Sequence, residues 1–217
     1  MAISKITSFV TMTTIAGTII YGSSIDISLP GIDRGYAPEQ PIGFSHQLHA
    51  GELAVSCLYC HTGAERSRHA GIPSASTCMN CHKFVTGPGR QVREGKEAEV
   101  GSQGSGAVSS GELAKLYDAV GFSVRKREYE EGKRGKAIEW VRVHNLPDFV
   151  HFDHRSHVNA GVKCQGCHGP VERMERIVQW SSLTMGWCVN CHRDVNKGKI
   201  DGLQGRSASI DCSACHY

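Results

Sequence analysis

The arrangement of its ten cysteines constrains this chain more than any other feature, because they form five Cys-x-x-Cys-His segments with no cysteine left over. In this motif the two thiols form thioether bonds to a porphyrin, and the adjacent histidine binds the iron from one side. Zinc sites also use Cys-x-x-Cys pairs, but they do not need a histidine after every second cysteine. A disulfide scaffold explains the even count, but neither the spacing nor the histidines. We therefore predict five covalently bound haem c groups, and no catalytic residue is predicted.

The five haem motifs are numbered in chain order. Their predicted attachment cysteines are Cys57, Cys60, Cys78, Cys81, Cys164, Cys167, Cys188, Cys191, Cys212 and Cys215. Their predicted iron ligands on the proximal side are His61, His82, His168, His192 and His216.

Two stretches of the chain repeat each other in order. The first repeat (44–82) and the second repeat (152–192) each begin with Phe-x-His-x-x-His, continue through a connection containing Ala-Gly, and contain two haem motifs. The connections have seven and six residues, and the gaps between the two motifs have 16 and 19 residues. The fifth motif follows at the end of the chain. This pattern indicates a duplicated two-haem unit with one added haem.

Histidines outside the motifs supply candidates for the second axial position of each iron. On a helix, residues at i and i+3 share a face, but they cannot lie on opposite sides of one iron. Each Phe-x-His-x-x-His segment is therefore predicted to serve two different haems. The predicted distal ligands of these segments are His46, His49, His154 and His157.

One further distal ligand remains open between two residues. His144 lies before Pro147, which restricts the loop, and it is the favoured candidate. Met185 is the rival; it is too close to Cys188 for its own haem but can serve a neighbouring one, and methionine ligation would raise that haem's potential. We interpret His69 and His151 as surface or propionate-bonding residues.

Composition supports a fold built around cofactors. The 217 residues are 40% hydrophobic and 7% aromatic, with 25 glycines, which is modest for a self-sufficient core. We therefore predict a mainly α chain with much irregular structure, organised around covalent haems. The formal net charge of +3 omits the haem propionates, so it does not indicate a nucleic-acid partner.

The amino-terminal segment is interpreted as a membrane anchor. Residues 3–25 contain one charge, Lys5, and their length suits a signal peptide or a short transmembrane helix. No small-x-small cleavage site precedes a polar start, and small residues allow close helix packing. We predict one transmembrane helix within 1–29, packed against partner subunits, with the haem region on the periplasmic side of the cytoplasmic membrane.

The remaining chain divides into three predicted parts. Residues 30–84 form a first two-haem unit and residues 139–217 a three-haem unit. Between them, 85–138 is interpreted as a linker with a low-complexity Gly/Ser stretch, a short amphipathic helix ending at Gly121, and a charged, solvated run.

Longer strings resemble a known family. The strings are AGIPSASTCMNCHK (70–83), ELAKLYDAV (112–120), EWVRVHNLPDFVHFDHRSHV (139–158) and TMGWCVNCHRD (184–194). They resemble the pentahaem cytochrome subunit of bacterial alternative complex III, a quinol:electron-acceptor oxidoreductase of respiratory and photosynthetic bacteria, and the repeats resemble class III multihaem cytochromes c. This resemblance implies one membrane helix, an iron–sulfur/molybdopterin-like partner and integral-membrane quinol-binding subunits. It also implies a monohaem cytochrome or soluble acceptor downstream.

Two functional hypotheses follow from these features. The first is a non-catalytic electron relay inside a membrane complex. The second is a stand-alone reductase of a small oxyanion, which needs one five-coordinate haem in a polar pocket. Spare histidines suffice to fill every axial position, and this favours the relay.

Overall fold

The computed structural model describes residues 33–87, 110–133 and 135–216. Within these ranges the secondary structure is mainly helical, with long irregular connections, as the sequence predicts. The α-helices are α1 (Cys57–Cys60), α2 (Ala75–His82), α3 (Gly111–Val120), α4 (His154–Asn159), α5 (Gln165–His168) and α6 (Met185–Asn196). A π-helix spans Gln47–Glu52, and 3-10 helices span Val171–Arg173 and Cys212–Ala214. Strands β1 (Phe122–Ser123) and β2 (Glu128–Tyr129) pair antiparallel, with Phe122 opposite Tyr129.

Short polar side chains start several of these helices. Ser56 accepts a hydrogen bond from the backbone N–H of Leu58 directly before the first haem motif. Thr184 does the same for Trp187 at the start of α6. Such side chains satisfy N–H groups that a helix start leaves unpaired. The haem motifs are therefore held in short helical turns even though their own sequences are weak helix formers.

The main apolar cluster lies between α2 and α3. Its buried members are Met79, Leu116, Tyr117 and Phe122. The Tyr117 hydroxyl also donates to the His82 carbonyl at 2.9 Å. Helix α3 has the predicted amphipathic face and ends at Gly121, whose φ of 67° is the left-handed conformation that glycine adopts easily.

Part of the predicted linker is thus a packed layer. Residues 110–133 and 135–138 cover α2. The apolar face of α3 and the side chain of Phe122 in β1 pack against Met79, which is buried beneath them. The Gly/Ser stretch lies outside the described residues. Elsewhere in the described chain the buried apolar side chains are scattered: Ala64, Met174, Val195 and Leu203.

The segment 138–150 forms no paired strand apart from one isolated bridge between Val150 and His216. Across the three described ranges, no helix is long and apolar enough to cross a membrane. The predicted anchor within 1–29 lies outside the described residues.

Candidate functional site

The ten thiols are all free of disulfide bonds. Each cysteine lies in a helical segment or directly next to one, and each is at least partly exposed. Free, accessible thiols are what thioether attachment requires. The structure therefore leaves every predicted attachment cysteine chemically available.

Four motif histidines are oriented in the same way, through a hydrogen bond from ring Nδ1 to a backbone carbonyl. A carbonyl oxygen can only accept, so Nδ1 carries the proton and Nε2 keeps its lone pair for a metal. These bonds join His61 to Gly71 (2.7 Å), His82 to Val85 (2.9 Å), His192 to Ser209 (2.5 Å) and His216 to Phe149 (3.3 Å).

The two Phe-x-His-x-x-His segments share one local geometry. Phe44 meets the His46 ring edge-on at a centroid distance of 4.8 Å and stacks on His49 at 4.3 Å. In the second repeat Phe152 meets His154 edge-on at 4.8 Å and lies against His157 at 4.6 Å. In each segment the phenylalanine therefore contacts both histidine rings, one edge-on and the other closer to parallel. This gives the aromatic residue that begins the motif a packing role.

The second histidine of each segment faces the second haem motif of its own repeat. The ring centroids of His49 and His82 are 6.2 Å apart, and those of His157 and His192 are 6.0 Å apart. His49 and His157 each donate from Nδ1 to the carbonyl four residues earlier, both at 2.8 Å, which leaves Nε2 for a metal.

These spacings fit an iron between two imidazoles. A metal binds imidazole nitrogen at about 2 Å, so two rings on opposite sides of one ion have centroids roughly 6 Å apart. His154 and His168 also satisfy this spacing, at 6.3 Å, with ring planes only 8° apart. The residues present thus fit bis-histidine haem on the donor atoms and on the ring separation.

His144 occupies a different position. Its Nε2 lies 3.3 Å from His168 Nδ1, and the ring centroids are 4.4 Å apart at 76°. That distance leaves no room for an iron between these two rings. His144 therefore lies beside the third motif, while its predicted ligation of another iron stays a prediction.

His46 is the histidine whose ring is least satisfied. Its Nδ1 is buried and has no hydrogen-bond partner among the described residues. Burial, and then the nearby rings of His61 and His49, lower the pKa of His46 to about 4. Burial and the neighbouring His144 and His154 lower the pKa of His168 to about 3. Both rings are therefore neutral at pH 7, which is the form that binds a metal.

Thiols of different motifs are close enough to affect each other. For four of the thiols, burial is the first cause of a raised pKa, and a thiol of another motif is the next. The effect raises the pKa of Cys167 to about 11. The affected and neighbouring thiols are Cys60 with Cys81, Cys164 with Cys57, Cys167 with Cys191, and Cys188 with Cys215. These four pairs bring the second motif near the first, the first near the third, the third near the fourth, and the fourth near the fifth.

The two repeats dock on each other reciprocally. The Gln47 N–H donates to the Met174 carbonyl at 2.9 Å, and the Arg155 N–H donates to the Ser67 carbonyl at 3.2 Å. Gln47 and Arg155 each follow the first histidine of their segment, and each acceptor lies six residues after the first motif histidine of the other repeat. The helical turn that carries each pair of predicted distal histidines is therefore held by the loop that follows the first haem motif of the other repeat.

Tight packing supports this docking on the side of the first repeat. A Cβ atom on Gly51 would clash with the Glu172 carbonyl. Ser45 donates its hydroxyl to Glu175 at 2.6 Å. On the other side, the Asn159 side chain donates to the Glu65 carbonyl at 3.3 Å. The residue pattern does not reveal this docking, because two of its hydrogen bonds join backbone groups and the side-chain contacts join residues more than 90 positions apart.

The other candidates lie apart from these pairs. Met185 begins α6 with 66% of its surface exposed, and its ligation stays a prediction. His69 is exposed in the loop after the first motif. The His151 N–H donates to the Cys215 carbonyl at 2.7 Å, which links it to the fifth motif through its backbone.

Comparison with known proteins indicates the class of protein. Residues 150–217 match the family model described as cytochrome c7 and related cytochrome c. The chain is 27% identical over 198 residues to the "menaquinone reductase, multiheme cytochrome c subunit" of Nitratidesulfovibrio vulgaris strain Hildenborough, an alignment covering 82% of this chain and 77% of that protein. These findings support the multihaem cytochrome c class. The class implies covalently bound haem c and a role in electron transfer.

Proposed function

We propose that this chain binds five haem c groups and relays electrons as a non-catalytic subunit of a membrane-bound quinone or quinol oxidoreductase. The carrying observation is the set of three imidazole pairs with centroids 6.0 to 6.3 Å apart, in a chain whose haem motifs are contiguous. Haem c, when bound, supplies a one-electron iron couple tuned by its axial ligands and their hydrogen bonds.

The chain's own residues would hold and orient each group. The thiols attach it, and backbone carbonyls orient the motif histidines through Nδ1. We assign His49 to the iron of the second motif, His154 to that of the third and His157 to that of the fourth. His46 is assigned to the iron of the first motif, because His61 is, after burial, the neighbouring charged group that lowers the pKa of His46 most.

Filling both axial positions separates a relay from a reductase. An iron held by two imidazoles would have no open position for a substrate oxyanion, so such a haem would serve only to exchange electrons with its neighbours. The distal histidines that face the motif histidines therefore favour the relay over the reductase of a small oxyanion.

Partners are proposed from the family resemblance. An iron–sulfur/molybdopterin-like subunit would exchange electrons with one end of the haem series, and integral-membrane subunits would bind the quinol. A monohaem cytochrome or soluble acceptor would receive electrons at the other end. The amino-terminal segment 1–29 would anchor the chain, with the haem region on the periplasmic side.

Electrons could also flow in the opposite direction, towards the quinone instead of away from the quinol. The relative named above is called a menaquinone reductase subunit, which describes electrons flowing towards the quinone. Its identity of 27% over most of this chain makes the same direction a specific alternative here. Both candidates keep the relay role and differ in which partner supplies the electron.

One spectroscopic experiment tests the relay. Purified full-length protein would be assayed for haem content per chain, and then by optical and EPR spectroscopy. We expect five haems per chain, all low-spin, and no change with carbon monoxide or nitrite. A substantial high-spin fraction that binds either ligand would support the reductase and contradict the relay. Anaerobic mixing of membranes with menaquinol or with menaquinone then separates the two directions.

A further inference from the structure

Arg68 lies in the loop between the first motif and α2, and its backbone contacts the second repeat. Its carbonyl oxygen accepts two hydrogen bonds from His154, one from the backbone N–H at 3.2 Å and one from ring Nδ1 at 3.0 Å. The first bond sets where α4 begins, and the second fixes the rotation of the imidazole. One carbonyl of the first repeat thus orients a histidine of the second.

The guanidinium of the same residue reaches a third part of the chain. Its Nη2 donates to the Val150 carbonyl at 3.0 Å. Val150 pairs with His216 in an isolated antiparallel bridge. The carbonyl of Phe149 accepts from His216 Nδ1 at 3.3 Å. The segment 149–151 therefore orients the fifth motif histidine, and Arg68 holds that segment in place.

The matching position in the second repeat is built differently. The residue seven positions after His168 is Glu175, whose carboxylate accepts from the Ser45 hydroxyl. No carbonyl bonds the ring of His46, which is buried and unpaired at Nδ1 within the described chain. Only Arg68 of the first repeat therefore has this double role, and Glu175 at the matching position of the second repeat does not.

We propose that Arg68 is a positioning residue for two haem centres at once, those of the third and fifth motifs. The inference rests on the proposed ligation of iron by His154 and His216. A hydrogen bond from Nδ1 to a carbonyl raises the basicity of an axial imidazole. A more basic ligand favours ferric iron. Loss of the Arg68 side chain loosens both the loop that carries the Arg68 carbonyl and the segment 149–151, and so weakens the hydrogen bonds to His154 and His216. The midpoint potential of the two affected haems is then expected to rise.

The test uses full-length, haem-loaded protein and potentiometric titration followed by EPR. In Arg68→Ala we expect two of the five low-spin signals to change their g-values and shift to higher midpoint potential, with three unchanged. In Arg68→Lys, which keeps a donor for the Val150 carbonyl, we expect a smaller shift in the fifth haem. Arg66→Ala removes the same charge from the same loop and is expected to leave all five signals unchanged.

In Arg68→Ala itself, either of two outcomes would overturn the proposal: no shifted signal at full haem content, or a uniform shift of all five. If Arg68→Ala does not fold, the Arg68→Lys titration decides alone, and an unchanged set of signals overturns the inference.

A His154→Met variant separates this failure from failure of the ligand assignment. If His154 binds iron, one signal moves to higher potential. The same signal must respond to Arg68→Ala. If a different signal responds, the relay stands and the positioning role is wrong. If His154→Met changes no signal, the ligand assignment is wrong and the inference fails with it.

Discussion

The two repeats place their paired histidines alike but build the surrounding chain differently. Phe44 and Phe152 contact their two histidines at centroid distances that agree within 0.3 Å. The turn that carries the histidines is a π-helix in the first repeat and an α-helix in the second. The comparison teaches that the side-chain geometry, rather than the helix type, is what both repeats preserve.

One additional residue accounts for the different turns. From first histidine to first cysteine the chain takes 11 steps in the first repeat (His46 to Cys57) and 10 in the second (His154 to Cys164). A π-turn closes from residue i to i+5 and so accommodates one more residue than an α-turn. The Leu53 N–H indeed donates to the Leu48 carbonyl five residues earlier. The insertion is absorbed before it can displace the haem motif.

The largest expected difference between the repeats lies beside their second motifs. Met79 is fully buried under α3, whereas the corresponding Val189 is only half-buried. We expect Met79→Ala to lower the free energy of unfolding by about 2–4 kcal/mol, because it leaves a cavity in the main apolar cluster. Val189→Ala is expected to cost about 1 kcal/mol or less. Urea unfolding followed by far-UV circular dichroism measures both, and equal losses would contradict the asymmetric covering of the repeats.

The phenylalanine that begins each repeat offers the opposite test, since the two repeats should respond alike. Phe44→Leu and Phe152→Leu each remove a ring that contacts two imidazoles, and such aromatic pairs are worth about 0.5–1.5 kcal/mol. We expect a similar loss of unfolding free energy in both, together with altered EPR g-values for the haems of the contacted histidines. A spectral change in one variant alone would show that the common geometry has different roles.

A matched pair of backbone positions sharpens the comparison of the two connections. Ala54 and Gly161 each lie three residues before the first cysteine of their repeat, with φ of 53° and 96°. The left-handed conformation costs a residue with a Cβ about 1–2 kcal/mol, partly offset by the lower entropy that its unfolded chain has relative to glycine. Gly161→Ala is therefore expected to destabilise the protein by about 1 kcal/mol, and Ala54→Gly to be neutral or stabilising by a similar amount at most. Thermal unfolding of both variants checks this, and a stabilising Gly161→Ala would refute it.

What the sequence predicts and what it misses follow from the range of the interactions involved. The haem motifs, the repeat and the helix ending at Gly121 are local patterns, and the structure confirms the helix. The burial of Met79 depends on residues more than 30 positions away, so its place between two cysteines does not reveal it. The docking of Gln47 on Met174 joins backbone groups 127 positions apart, and every residue type carries those groups.

The smallest expected effect concerns how each repeat begins. In the first repeat the N–H of Gly43 donates to the Glu112 carboxylate at 2.5 Å, and in the second the N–H of His151 donates to a backbone carbonyl. The Gly43 amide, followed by the Lys115 side chain, lowers the pKa of Glu112 below its ordinary value of 4.5. Only the first of these two contacts contains a titrating acceptor.

The sign of the pH effect follows from that lowered pKa. A carboxylate with a depressed folded-state pKa stabilises the fold above its unfolded pKa and loses this contribution as pH falls through the folded pKa. Because Glu112 is largely solvated, we expect Glu112→Gln to cost less than about 1 kcal/mol at pH 7 and still less below pH 4.5. Hydrogen exchange should quicken at the Gly43 amide and not at the His151 amide, with Glu131→Gln as the exposed control. Equal quickening at both amides would mean that Glu112 stabilises the whole chain rather than the entry to the first repeat.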